Sequence, residues 1–420
     1  MKKIVILGGG LSGLAAAQKL CKQFDVIILE KKDYLGGLAA SFEHNREKIP
    51  IYYHHVIQSN KTTQRYLKRY GLLSSCRWQK IKVAIGWKNK IYNINTILGL
   101  LLFNQLSFTG KIRLGLFGLY VIFLLNPDTI LDNENAEDWL YTHTGKEVTD
   151  KIFYNLYARN KFNIPLKEIA AKQFAWRLKE REVYDKFTYP EKGLNFLVSG
   201  LQKEIIGNDG KILTKCKIKK INLKEKKIKT DSGIIKYDTL INTIPIPEFL
   251  KITMHIPIRY RKKISKVKYC SGVEICFGTK DFLKKGAYWI NLFQERMHVL
   301  IQHSLLCDKY DDKINWCIRY GGSEQDIMMN DKKIIKIYKS VIKKYFPKTK
   351  INWIKVFKEK YAEPIYCKDY CSYMLDYETP VQNLYMAGIQ ITFPKIRNMN
   401  TALESGLHVA KIILQKEKTK

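Results

Sequence analysis

The chain has 420 residues, enough for two or three domains, and 46% of them are hydrophobic, enough for a sizeable core. Lys and Arg number 73 against 39 Asp and Glu, a net charge of +34. These cations run along the whole length with no zinc-finger spacing, aromatic ribonucleoprotein motif or basic heptad helix, which argues against nucleic acid and for an anionic membrane surface as the use of the charge. Nine scattered cysteines without a C-x-x-C argue against a full disulfide framework. The histidines lack metal-ligand spacing, so no metal is expected.

The first element is a strand. Ile4 to Leu7 is a continuous β-branched apolar run that ends in glycine. Gly8, Gly10 and Gly13 then fit G-x-G-x-x-G, and Leu14 to Leu20 carries Ala and Leu at helical spacing. The glycines therefore stand between a strand and a helix, the context that gives the motif meaning. Gly8 permits the tight turn, Gly10 lets the backbone approach a pyrophosphate, and Gly13 lets helix and strand pack closely. Leu11 and Ser12 open the helix, where free N–H groups and partial positive charge meet phosphate. A second strand, Asp25 to Leu29, ends at Glu30, 17 residues after Gly13, where a carboxylate accepts hydrogen bonds from an adenosine ribose. Lys31 and then Gly36, Gly37 and Leu38 follow at once. The loop lacks G-K-[ST], so it is no phosphoryl-transfer site. A strand this close to Met1 leaves no room for a signal peptide, and a cytoplasmic protein is expected, peripheral at the inner face of the membrane if its apolar segment lies there.

The pattern "GGGLSGLAAA…LEKKDYLGGLAAS" resembles the flavin-containing amine oxidase superfamily, which includes protoporphyrinogen oxidases, phytoene desaturases and UDP-galactopyranose mutases. The resemblance implies FAD, with Gly36 and Gly37 beside its diphosphate and Lys31 and Leu38 in the same contact set. It extends to "NLYMAGIQITFPKIRNMNTALESGLHVAKII", which is similar to the family's closing segment, where a helix begins near the flavin ring; Gly388, Arg397, Met399 and Asn400 fall on that motif. A helix N-terminus near Met399 would stabilise negative charge on a reduced flavin. The usual Gly-Asp pair is here Gly388-Ile389, so one family carboxylate is missing. The middle segment "CKIKKINLKEKKIKTDSGIIKYDTLINTIP" reads as strands with a turn at Asp231-Ser232-Gly233. It is similar to the family strand that touches adenine, near Ile218, and is followed by a T-x-P at Thr243 and Pro245. The implied fold is α/β: a Rossmann-like, glutathione-reductase-type FAD-binding domain (1–60, 191–270 and 375–420), interleaved with a helical cap (61–190) and a mixed-sheet α/β substrate domain (271–374).

Ile97 to Leu125 is strongly apolar, but its longest unbroken run, Leu114 to Leu125, is 12 residues, and Lys111 and Arg113 interrupt the segment. A membrane span needs about 18 or more. Two readings stay open: buried helices of a substrate-binding cap, or a patch lying in the membrane interface. Beyond Asn126-Pro127-Asp128 a helical stretch follows, with Trp139, Leu140, Val148, Ile152, Phe153 and Leu156 as its apolar positions.

Two histidines, His54 and His55, fall where family members approach the flavin; they either hydrogen-bond the ring or move a proton, or they cap a turn. Arg397 pairs with a substrate anion or an FAD phosphate, or is a solvated helix-start residue. Glu363-Pro364 and Tyr366 are similar to a flavin-facing segment of sugar mutases, a match too short to assign a role. The leading expectation is an FAD-dependent oxidoreductase that oxidises or desaturates a small hydrophobic or lipid-linked substrate by hydride transfer to flavin N5. The alternative is a flavin-dependent isomerase of a nucleotide-sugar or glycan precursor, similar to UDP-galactopyranose mutase, and a third is a flavoprotein scaffold without turnover.

Overall fold

Five short apolar strands lie side by side and parallel, in the order Lys211–Leu213, Asp25–Leu29, Lys3–Leu7, Thr239–Asn242, Leu384–Met386. The computed structural model describes residues 1–94, 96–180, 185–321 and 324–418. Leu7 pairs with Leu29 on one side and Asn242 on the other. The strands therefore end in line, and Gly8, Glu30 and Thr243 emerge together at one edge of the sheet. Such strands read as continuous hydrophobic runs because both faces are covered. Val5, Ile6, Val26 and Ile28 have no solvent exposure. Helices Leu11–Leu20 and Met399–Lys418 pack together on one face, so the two ends of the chain build one unit.

A small sheet sits beside it. Ile218–Asn222, Lys227–Thr230 and Ile234–Lys236 run antiparallel, with the second turn at residues 231–233. The third sheet has seven strands, in the order Ile351–Ile365, Lys268–Thr279, Lys313–Tyr320, Val299–Gln302, Trp289–Leu292, Val83–Trp87, Lys90–Asn93. Its last two strands come from within 61–190, so this sheet crosses the boundary between the expected cap and substrate domain. Helix Asp331–Tyr345 lays Ile334, Tyr338, Val341, Ile342 and Tyr345, one helical face, over the sheet residues Val273, Ile275 and Phe277.

The cap comprises helices Ile97–Leu101, Phe108–Phe123, Ala136–Val148 and Ala171–Lys179, with a wide π-helical stretch at Thr149–Phe162. Ser107 and Asn135 cap two of these helices through the amides of Gly110 and Asp138, each at 3.0 Å. The apolar positions read from the sequence meet in one cluster: Trp139, Leu140, Val148, Ile152 and Phe153 are buried there with Phe117 and Phe174, and Leu156 packs against them. The 97–125 segment is buried on one side and exposed on the other. Phe103, Leu106, Phe117, Val121 and Leu125 are buried, whereas Ile97, Leu98, Leu101, Leu102, Phe108, Leu116, Leu119, Phe123 and Leu124 are 51–83% exposed. Among the described residues no helix is long and apolar enough to cross a membrane.

Candidate active site

The glycine loop is built as a cradle. Gly8 turns at φ +100°, a conformation that favours glycine. A Cβ on Gly13 would stand 2.2 Å from the Gly8 carbonyl oxygen, so only glycine lets the helix start this close to the turn. Gly10 differs: beyond its own chain neighbours nothing lies within 4 Å of where its Cβ would be, and the residue faces a cavity of about 740 Å³. The first-turn amides of the helix have no intrahelical acceptor, and the Ser12 hydroxyl beside them is buried without a hydrogen-bond partner. Bare backbone, orphaned donors and a helix N-terminus suit a phosphate. Glu30 does more than its position announces. Its Oε2 accepts from Gly9 N at 2.7 Å and its Oε1 from Lys32 N at 2.8 Å. The carboxylate thus ties the loop to the second strand and keeps lone pairs for a ribose. Thr243 donates its hydroxyl to Leu7 O at 2.7 Å and buttresses the same turn.

The cavity wall includes Gly8, Gly10, Leu11, Ser12, Glu30, Lys31, Gly36, Gly37, Leu38, Ile218, Thr243, Gly388 and Met399, together with His54, His55 and Arg397. Two residues expected at the cofactor stand behind that wall. Gly13 is the packing glycine, and Asn400 accepts from Thr63 N at 3.0 Å and donates to Glu404 Oε1 at 2.8 Å. Ile389 stands where the family has the carboxylate, and the next residue, Gln390, donates its amide to Ala387 O at 2.7 Å. These features fit a dinucleotide laid across the strand ends.

From the cradle the cavity continues between the seven-stranded sheet and the cap, past Ile81, Val83, Ile85, Phe153, Leu156 and Leu178. His54 and His55 line the passage. By surface area both are only partly buried, because they face the cavity, yet that cavity lies deep in the protein. Burial lowers their pKa values to about 4 and about 3 respectively, so both are neutral at pH 7. His54 Nδ1 lies 2.9 Å from the Tyr52 carbonyl oxygen, which only accepts. The proton therefore sits on Nδ1, and Nε2 keeps a lone pair. His55 Nδ1 lies 3.2 Å from the Tyr288 hydroxyl.

Two cations that the sequence does not single out, Lys161 and Arg177, join Arg397 in the charged part of the wall. Lys161 Nζ stands 2.8 Å from Glu363 Oε2, Arg177 Nη2 stands 2.9 Å from Glu363 Oε1, and Arg397 Nε stands 3.1 Å from Glu363 Oε2. All four side chains are at least four-fifths buried. Burial works against ionisation of Glu363, but the three cations outweigh it and hold the carboxyl well below its usual range. Arg397, expected at an anion or in solvent, thus meets a carboxylate of the protein. Lys161 lies on the π-helical stretch, whose Phe153, Leu156, Tyr157 and Asn160 share the wall with it. No local sequence pattern separates Lys161 or Arg177 from the many other cations of the chain. Asn160 is the exception: in a helix whose Phe153, Leu156 and Tyr157 are apolar at the same spacing, a carboxamide breaks the pattern. It is buried and donates to Leu292 O at 3.1 Å.

The comparisons agree with this geometry. The family model for flavin-containing amine oxidoreductase matches residues 11–414. An uncharacterised protein of Methanocaldococcus jannaschii is 25% identical over 314 residues, covering 71% of this chain and 72% of that one. A protein of Exiguobacterium sp. 255-15, provisionally named a protoporphyrinogen oxidase, superposes with a TM-score of 0.79 at 15% identity, over 99% of each chain. Reduced UDP-galactopyranose mutase superposes with a TM-score of 0.77 at 14% identity, over 99% of this chain and 96% of that one. The two structural likenesses show a shared fold, and the family match covers nearly the whole sequence: the chain belongs to the flavin-containing amine oxidoreductase family.

Proposed function

We propose that the protein is an FAD-dependent oxidoreductase that oxidises or desaturates a hydrophobic, lipid-like substrate. The observation that carries this reading is the continuity of one cavity from the glycine cradle to an apolar wall built by the cap. Gly10, Ser12, Gly36 and Gly37 would hold the diphosphate, Glu30 the ribose and Ile218 the adenine. Bound FAD supplies the two-electron acceptor, its N5, and the protein need not supply the redox chemistry itself. The cap side chains Phe153, Leu156 and Leu178 clasp the apolar body of the substrate and exclude water from it. Neutral His54 and His55 orient by hydrogen bonding; at pH 7 they are too weakly basic to store a proton. Flavin released on denaturation should be FAD; a colourless protein, or one that takes up NAD instead, would contradict the reading.

The substrate reaches such a cavity from an anionic bilayer. Two consecutive helices, Ile97–Leu101 and Phe108–Phe123, and the residues that follow them, Leu102 and Leu124, turn ten large apolar side chains outward in a segment whose only charges are Lys111 and Arg113. Exposed Lys88 and Lys90 stand just before it. Apolar insertion flanked by cations is the arrangement that suits an acidic headgroup layer. Ile94, at the entrance to the first of these helices, lines the cavity itself.

A nucleotide-sugar isomerase is the second reading, and the Lys161, Arg177 and Arg397 cluster favours it to the extent that it suits a diphosphate. The apolar passage argues the other way. A sugar placed there would leave polar groups unpaired at roughly 1–3 kcal/mol each.

A further inference from the structure

The geometry points to a subsite in which Lys161 and Arg397 receive an anionic group, so that the substrate is an amphiphile: an apolar body that bears a carboxylate or a phosphate. The inference deepens the oxidoreductase reading above and names the chemistry of its substrate.

The charges do not balance at the cavity wall. Lys161 and Arg397 share one oxygen, Glu363 Oε2, while Arg177 occupies Oε1. Two cations thus share one carboxylate oxygen. Their placement is also layered, since Lys161, Arg177 and Arg397 line the cavity and Glu363 does not. The counter-charge stands behind, and the positive groups face the space a ligand would fill. Arg397 Nε and Glu363 Oε2 stand 3.1 Å apart and neither has a hydrogen-bond partner, so the two are held by charge alone and the Arg397 Nε–H is left to donate elsewhere. Buried cations are costly unless a partner meets them. Among the described residues the other carboxylates in the wall belong to the dinucleotide end: Glu30 holds Gly9 and Lys32, Glu248 pairs with Lys31 at 3.7 Å and Glu359 with Lys32 at 3.9 Å.

The surroundings fix the rest of the ligand. Lys161 Nζ lies 4.3 Å from the centre of the Tyr320 ring. Leu156 and Tyr157 precede Lys161 on its helix, and Leu178 follows Arg177 on the next. An anion at Lys161 and Arg397 therefore has apolar wall beside it. Burial lowers the Lys161 pKa to about 8, with Arg177 and Arg397 acting the same way and Glu363 opposing. The remaining groups that face it, Tyr320 and Cys270, are raised by burial and stay neutral near pH 8. The Lys161 charge is thus present at pH 7 and lost as pH rises through about 8.

The test is binding to the FAD-loaded protein, read by the tryptophan fluorescence to which Trp289 in the wall contributes. The probes are dodecanoate, dodecyl phosphate, dodecanol and UDP, each below its micelle concentration where it has one. At least one anionic amphiphile should bind about tenfold or more tighter than dodecanol at pH 7, and the tighter of the two names the headgroup. That advantage should shrink between about pH 7 and about pH 9. Lys161→Gln should bring the anions down to the level of dodecanol, and Lys161→Arg should keep the affinity while removing the pH dependence. Equal binding of anions and dodecanol, an unchanged preference in Lys161→Gln, or UDP binding tighter than both amphiphiles would each overturn the proposal. If Lys161→Gln does not fold, Lys161→Arg decides, because loss of its pH dependence requires Lys161 at the anion. FAD content of the same sample is read separately, so failure of the oxidoreductase reading is distinguishable from failure of the subsite.

Discussion

Glu30 Oε2 accepts a hydrogen bond from Gly9 N at 2.7 Å, and this contact ties the end of the second strand to the loop after the first. It gives the carboxylate two duties, loop geometry and ribose recognition. Glu30→Gln should therefore keep the fold and weaken FAD by about tenfold or more, the range expected when a charged acceptor becomes neutral. Flavin retained through gel filtration measures it, and unchanged retention would remove Glu30 from the cofactor site.

Two of the motif glycines, Gly10 and Gly13, should separate in their effects. Gly10→Val places its side chain in open cavity space, so it should abolish flavin retention while circular dichroism of the protein stays native. Gly13→Ala meets backbone oxygen at 2.2 Å, so it should lower the melting temperature with or without flavin. If both variants merely lose stability, the cradle is a packing motif only.

Acid should destabilise the protein through its buried histidines. His54 titrates at about 4 and His55 at about 3 in the fold, against about 6.5 in an unfolded chain. The unfolded state therefore binds more protons, and stability is lost as pH falls from about 6.5 towards about 4. His298 and His303, lowered to about 3 by burial, act the same way. Replacing His54 and His55 with Gln should flatten, without abolishing, the fall of melting temperature over that window. Identical slopes would show that the two imidazoles are hydrated.

Binding to vesicles should have a salt-sensitive and a salt-insensitive part. Leu116→Glu with Phe123→Glu, at positions 60% and 74% exposed, should reduce sedimentation with anionic vesicles at low salt while FAD stays bound. A protein that remains in the supernatant with anionic and neutral vesicles alike would refute the bilayer as the occupant of that face.

What was legible in the sequence was local. The glycine loop, Glu30 and the 36–37 pair act through neighbours a few residues away, so spacing suffices to read them. The Lys161, Arg177, Arg397 and Glu363 cluster joins four distant positions, three of them among 73 cations, and only the packing of the cap against the long strands brings them together. Arg397 and Glu363 each drew notice, yet nothing local pairs them. The helices of 97–125 were ambiguous for another reason: an apolar helix has the same composition whether protein or lipid covers it, and Leu116 and Val121 differ only in which way they face.

Net oxidation of an apolar, anionic substrate is tested most directly by the flavin band of the anaerobic protein. We predict that the acidic-lipid fraction of a cell extract bleaches that band without added reductant and that an electron acceptor restores it. A band left unchanged by the same fraction, with dithionite-reduced protein isomerising UDP-galactopyranose, would contradict the account and establish the isomerase in its place.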